Sequence, residues 1–392
     1  MNNLYAKSGY AVCKIIADSI NNRSKNYIQC DSKVDFSERI DFIKKHNLVS
    51  IWSSVIRKKG HNAQDDYEKY GESIDDCNHH IFRQMKFDSM REKVSKHLSS
   101  HHVRHIILKG CTTDKFYPSD VIRTSADVDI FVDKRDFESA KEALQELGFY
   151  FEKTHDNEEF HFKKDPRYYI EVHTTLEGFS DRQKKILLKL SDNAVKVSGE
   201  RFELTDSDAY IYSMFHLYKH FVFSGVGVRM FLDNYLIEKN GNIDLSYTEK
   251  IFKELEIDGF IETVRKINKV LFENDVADEK LKEVINFVFD SGVFGKCSTK
   301  VHLDEMNRTT KHQSKLERFS INNGLSFLSM SKRYPILKKI PVLYPFSFIH
   351  RFFYGIIHKR DVLKKDKELK EALSKDRINK YRKIFEIANI RM

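Results

Sequence analysis

His102 to Asp133 reads HVRHIILKGCTTDKFYPSDVIRTSADVDIFVD. An apolar run ends in Lys109-Gly110, a polar loop follows, and a second apolar run carries Asp127 and Asp129 with only Val128 between them. Strand side chains alternate faces with period two, so Asp127 and Asp129 project from one side while Val128 and Ile130 point the other way. Two acids so placed stay ionised together only where a cation or strong donors offset their repulsion, and hard oxygen ligands of this kind suit Mg²⁺. The spacing predicts a metal site facing a phosphate.

The next strand expected downstream is Tyr168-Tyr169-Ile170-Glu171-Val172-His173. It alternates apolar and polar residues and sets Glu171 mid-run, where an unpartnered carboxylate is costly. Glu171 is therefore the third ligand expected. His173 lies two residues on, on the same face, and either lines the cleft or is a buried, hydrogen-bonded structural histidine. Between the two runs, Asp136 to Leu147 (DFESAKEALQEL) has helical spacing through Phe137, Ala140, Leu144 and Leu147, with Gly148 at the stop. Asp133, at the end of the second strand, reads as a helix cap. The expected order is strand, Gly turn, strand with Asp-x-Asp, helix, strand with Glu.

That ordered set resembles the DNA polymerase beta nucleotidyltransferase superfamily. More narrowly, ILKG, Tyr117-Pro118, Arg123, DVDIFV and IEVH are similar to the bacterial uncharacterised nucleotidyltransferase family, and the similarity runs on through His216-Leu-Tyr-Lys-His220, Gly227-Val-Arg229 and Asp233. The resemblance implies an α+β fold: a polymerase beta-like core of a small mixed sheet with helices, flanked by N-terminal and C-terminal helical regions. One departure stands out, for Cys111 follows Gly110 where the superfamily has Gly-Ser or Gly-Gly.

The resemblance also implies roles. Asp127 and Asp129 would bind the metal, Mg²⁺ or Mn²⁺, that bridges the nucleotide phosphates, and Glu171 would complete the set or accept the proton of the attacking hydroxyl. Two-metal sites of this kind stabilise the attacking and leaving oxygens of an in-line displacement. The triphosphate grip falls to Lys109, to backbone N–H groups at Gly110, and to Thr112 or Thr113. Arg123 pairs with phosphate as a planar fork, against a surface charge. Lys219, His220 and Arg229 hold the nucleotide or acceptor, against plain packing, and Arg229 with Asp233 also fits an i,i+4 ion pair. His216 and His220, four apart on an expected helix (209–221), share a face suited to a transition metal, with no third ligand evident. The implied reaction moves a nucleoside monophosphate from a nucleoside triphosphate to a small-molecule or cell-surface-glycan-related acceptor, releasing pyrophosphate. Transfer to a protein or RNA end, or a catalytically silent nucleotide-binding scaffold, are the alternatives.

The rest of the chain sets bounds. Its 392 residues are ample for a core. They divide by pattern into an N-terminal helical region (1–100), the catalytic core (101–205), a helical lobe (206–330) and a basic, aromatic-rich tail with a C-terminal helix (331–392). Phe36, Ile40 and Ile43, then Leu48, Ile51, Trp52 and Val55, have helical spacing. A hairpin is expected around Ser198-Gly199, Thr205-Asp206 caps the helix bearing His216, and further helices are expected over 259–271 and 279–289. The five cysteines, Cys13, Cys30, Cys77, Cys111 and Cys297, are scattered without a C-x-x-C, which suits free thiols in a reducing cytosol. The first twenty residues lack a basic segment leading into a long apolar one, so no signal peptide is expected.

From Lys332 through Arg360 there is no acid, and three of the five prolines fall here, at 335, 341 and 345. Helical spacing after Pro345 groups Phe348, Phe352 and Ile356, with Arg351 and Lys359 elsewhere. An apolar face bordered by cations either docks reversibly on an anionic membrane at the inner leaflet or packs on the helical lobe. The last stretch, 364–391, reads as a solvated helix of mixed charge. The net charge of +9 is spread out and permits nucleic-acid contact without demanding it, and no RNA-binding motif is present.

Overall fold

Two short apolar runs make the centre of the sheet, because each is buried on both faces. These are β1 (His105–Leu108) and β2 (Val128–Val132), paired antiparallel with Leu108 opposite Asp129. The computed structural model describes residues 3–21, 36–59, 71–156, 158–164, 168–293, 336–347 and 375–391, with single positions at 295, 303, 330 and 334. Three more strands lie beyond β2: β5 (Tyr168–His173) runs parallel to it, then β4 (Glu159–Lys164) and β3 (Tyr150–Asp156) follow antiparallel. On the other edge β7 (Arg201–Glu203) runs parallel to β1, and β6 (Val195–Ser198) folds back on β7. The strand order is β3-β4-β5-β2-β1-β7-β6, a seven-stranded mixed sheet.

The β6–β7 hairpin is the one expected around Gly199, whose φ of +54° supplies the left-handed turn residue. The β3–β4 hairpin was not expected, so the sheet is larger than the small one read from sequence. Its signal is nevertheless present: Phe160 and Phe162 alternate with Glu159, His161 and Lys163, and Phe162 pairs with Ile170 in the buried layer.

The two sheet faces feed two cores. Ile107, Val128, Ile130, Val132, Ile170 and Val172 pack under α4 (Gly71–Ser100) and α5 (Phe137–Glu146). Asp136 and Gly148 bracket α5 as the spacing required, and the Asp133 side chain accepts from the Arg135 N–H at 3.0 Å, capping the short turn before it. On the opposite face Ile106, Leu108 and Phe131 join a larger cluster built by α7 (Asp206–Phe223), α8 (Val228–Asn240), α9 (Leu245–Glu254), α10 (Asp258–Phe272) and α11 (Glu279–Ser291). The helices α1 (Asn3–Ile20), α2 (Phe36–Lys45) and α3 (Val49–Lys59) share this cluster through Ile16, Phe42, Leu48 and Trp52. Each fully buried Phe here, such as Phe221, Phe252 or Phe260, contributes about 1.5–3 kcal/mol. A further helix, α6 (Asp181–Leu188), follows β5. Thr205 caps α7, its hydroxyl accepting from the Asp208 N–H at 3.1 Å.

The last helix, α12 (Lys375–Ile387), corrects the reading of a solvated element. Its charges face outward, yet Ile384 and Phe385 are fully buried, and the Phe385 ring lies 5.9 Å from that of Phe221. Phe348, Arg351, Phe352, Ile356 and Lys359, on which the membrane-facing stripe was read, lie outside the described residues. No helix among the described residues is long and apolar enough to cross a membrane. Of the cysteines, Cys13 is described as a free thiol in the core.

Candidate active site

Strand register brings the acids together. Asp129 of β2 lies directly opposite Glu171 of the parallel neighbour β5, and His161 of β4 lies opposite Glu171 in turn, so the three share one face in a row across the sheet. His173 adds its Nε2, 2.8 Å from Asp129 Oδ1 and 3.8 Å from Glu171 Oε2. Asp129, Glu171 and His173 present ligand atoms within 4.8 Å of one another, and Glu159, His161 and Glu171 form a second such group sharing Glu171. Asp127 stands one residue before β2, exposed at the mouth, and belongs to neither group. The expected parity of Asp127 and Asp129 places both toward the cleft, but the strand begins only at Val128.

Lys109 sits where β1 ends. Its φ of +54° is a left-handed conformation that a β-carbon disfavours, and it hands the chain to the single helical turn Gly110–Thr113. The ammonium donates to Asp129 Oδ1 at 2.7 Å and pairs with Glu177 Oε1 at 3.0 Å. Glu177, in the segment after β5, is buried and is also reached by His216 Nδ1 at 3.1 Å and Lys219 Nζ at 3.0 Å from α7. The expected His216 and His220 pair is present as stacked edge-on rings 4.4 Å apart, and Glu177 is the partner His216 has.

The electrostatics follow from burial and proximity. Burial first, and Asp129 second, push the Glu171 carboxyl up to about 8. Burial alone would raise Asp129 too, but the Lys109 ammonium and the His173 ring hold it below the ordinary carboxylate range. Burial likewise opposes ionisation of Glu177, and Lys109 and His216 outweigh it, so that carboxyl is well below the usual value. Asp127 is raised by burial of its carboxyl and by Asp129, even though the residue as a whole has an open side. His220 is pushed down to about 3 by burial and by His216, so it stays neutral. The Tyr212 hydroxyl is buried without a hydrogen-bond partner, in the field of Glu177, Lys109 and Asp129.

Other expected nucleotide contacts are occupied by protein. Arg123 forks onto Asp233, with Nε to Oδ1 and Nη2 to Oδ2 both at 2.8 Å, and Tyr117 donates to the same carboxylate at 2.7 Å. Arg123 Nη1 also donates to the Gly110 carbonyl at 2.8 Å. A β-carbon on Gly110 would lie 2.8 Å from that Nη1, so a side chain there would push on the Arg123 guanidinium that Asp233 holds. Arg229 donates to the Thr124 carbonyl, and burial with Arg123 nearby pushes its guanidinium down to about 10. The Thr112 and Thr113 hydroxyls both donate to the Lys109 carbonyl, at 2.8 and 3.1 Å. Tyr117, Arg123, Arg229 and Asp233 thus brace the loop between β1 and β2 onto α8.

Glu159, His161, Glu177 and Tyr212 were not singled out from sequence. Glu159 and His161 carry the period-two signal of β4, whereas Glu177 lies in a loop and Tyr212 on an apolar helix, where nothing local marks them.

A mixed sheet with facing carboxylates on neighbouring strands, beside a Gly-opened turn, is the architecture of a nucleotidyltransferase core. The chain belongs to the uncharacterised nucleotidyltransferase family, whose model matches residues 32–273, well over half of its length and all of the site above. No curated protein matches it. Family membership makes nucleoside monophosphate transfer the class of reaction, and enzymes of that class generally use divalent metals.

Proposed function

We propose that the protein transfers a nucleoside monophosphate from a nucleoside triphosphate to a hydroxyl or phosphate of a small-molecule or cell-surface-glycan-related acceptor, releasing pyrophosphate. One observation carries this reading: Asp129 and Glu171 face each other in register, where burial and the Asp129 charge both oppose ionisation of Glu171. A buried and a half-buried carboxylate set against each other raise the free energy of the ionised pair, and a divalent ion relieves that repulsion. The donor set suits Mg²⁺ or Mn²⁺: Asp129 and Glu171 would hold it with His173 beside them, and Asp127 stands at the mouth as the further carboxylate expected to assist. When bound, the ion supplies charge neutralisation at the phosphate oxygens.

The chain's own groups do the rest. His173 orients the Asp129 carboxylate through its Nε2. Once a bound cation holds it ionised, the Glu171 carboxylate would accept a proton from an attacking hydroxyl, which makes it the general base. Lys109 and Lys219, held by Glu177, place two ammonium groups beside the carboxylates where phosphate charge accumulates, and Tyr212 offers an unspent donor. Arg123, Gly110, Thr112 and Arg229 act by holding the turn and loop in place, while His220, kept neutral, packs against His216.

Each of the four labelled nucleoside triphosphates, incubated with the protein and a cell extract, tests this. Label is expected in a small-molecule product, and Asp129→Asn or Glu171→Gln is expected to lower incorporation by about 10³-fold, since metal-held charge stabilisation amounts to several kcal/mol. Glu171→Gln should also melt at or above the wild-type temperature, because a repulsive buried carboxyl is removed. Full incorporation by both variants would end the reading, and label in protein or RNA would reassign the acceptor.

A further inference from the structure

On the far side of the sheet, two helix ends meet. His97 lies in the last turn of α4 and His101 one turn on, and Glu146 is the last residue of α5. The Nε2 atoms of His97 and His101 both lie 2.9 Å from one oxygen, Glu146 Oε2. These three ligand atoms fall within 4.8 Å of one another and are half-exposed, with side-chain accessibilities of 28, 27 and 56%. None of the three touches the Asp129 and Glu171 centre.

The backbone fixes them there. α4 ends with the His102 N–H on the Ser99 carbonyl at 3.0 Å and the Val103 N–H on the Leu98 carbonyl at 3.0 Å, with His102 at φ +57°. α5 ends the same way, with the Gly148 N–H on Gln145 at 2.8 Å, the Phe149 N–H on Leu144 at 3.0 Å, and Gly148 at φ +82°. Each is a Schellman closure, and the hydrophobic contacts that accompany it, Leu98 with Val103 and Leu144 with Phe149, lie in the core. The ligands therefore ride on two locked helix termini, both of them ends that carry partial negative charge and favour a cation.

We propose that His97, His101 and Glu146 form a second metal site, selective for a borderline divalent transition ion such as Zn²⁺ and separate from the catalytic centre. Two imidazoles four residues apart plus a carboxylate leave a fourth position for water. Zn–N and Zn–O bonds of about 2.0–2.1 Å in a tetrahedron set ligand atoms about 3.3 Å apart, so the present 2.9 Å contacts need widen by only a few tenths of an ångström. A surface cavity of about 500 Å³, lined by Lys93, Lys96 and His97 among others, borders the cluster on its His97 side. The ion replaces the shared hydrogen bonds and ties α4 to α5, the two helices that cover the back of β2 and β5.

Full-length protein stripped with chelator and dialysed against Zn²⁺ tests the site by bound metal per chain. His97→Ala/His101→Ala is expected to hold one equivalent fewer than wild type, and Glu146→Gln to bind that equivalent at least about tenfold more weakly. All three side chains are at the surface, so the metal-free melting temperature of each variant should match wild type, and the rise that Zn²⁺ produces in wild type should be smaller in both. Equal zinc content and an equal zinc-induced rise in His97→Ala/His101→Ala would overturn the proposal. Because the readout is metal content and melting, its outcome is independent of whether nucleotide transfer is found.

Discussion

Glu177 gathers Lys109, His216 and Lys219 around one buried carboxylate, and Lys109 in turn bridges to Asp129. Removing the charge from such a hub leaves cations without compensation in a low-dielectric pocket, a loss of about 3–5 kcal/mol for a broken buried pair. Glu177→Gln is therefore expected to lower the unfolding free energy by that order, read as a fall in the urea midpoint, and to raise the KM for the triphosphate, because Lys109 and Lys219 lose their anchor. An unchanged midpoint with an unchanged KM would deny Glu177 both duties. Asp129 and Glu171 are legible in the amino-acid order itself, since alternation in a strand is a local rule. Glu177 is not, because an acid in a loop has no period to betray it.

His46, just past α2, links three elements with one ring. Its Nε2 donates to the Phe289 carbonyl at 3.1 Å and its Nδ1 accepts from the Val228 N–H at 3.2 Å, so the buried ring is used in its neutral form. Burial, with Lys45 beside it, pushes the imidazole down to about 3. In the unfolded chain it titrates at about 6.5. Between those values the unfolded state takes up a proton that the folded state does not, so stability falls as pH drops from about 6.5 towards 3, by about 1.4 kcal/mol per unit from this group. Urea unfolding at about pH 6.5 and about pH 4.5 should show His46→Phe less stable at the upper pH, with the buried Val228 N–H unpaired, but with a shallower fall to the lower. Identical slopes for the two proteins would contradict the account. Helices and their caps are readable at this level, as with Thr205 and Gly148, because capping depends on residues within a turn. The β3–β4 hairpin is readable only in part, because β4 alternates while Tyr150–Asp156 of β3 shows no period-two pattern.

Across the whole chain, the described part of the tail leaves Ile336, Ile340, Val342 and Phe346 exposed at 52, 48, 77 and 69%. The surrounding sequence has no acid from 332 to 360 and seven lysines and arginines, a complement to an anionic bilayer surface. Full-length protein should float with vesicles containing phosphatidylserine, and Ile336→Glu/Val342→Glu/Phe346→Glu should remain at the bottom of the gradient. Equal flotation of both would remove the membrane role. A truncation is the poorer test, since α12 buries Phe385 in the core and its loss would open that core.

What the amino-acid order alone determined were the features set by neighbours a few residues away: the inward acids of β2 and β5, the helix following β2 with its caps, the hairpin at Gly199, and the family they belong to. The tertiary structure alone decided which charges answer which. Arg123 meets Asp233 across 110 residues and Asp129 meets His173 across 44, partners that no local spacing announces. Side-chain direction follows from local backbone period, whereas the partner a charge finds depends on where the chain returns, and no local rule carries that information.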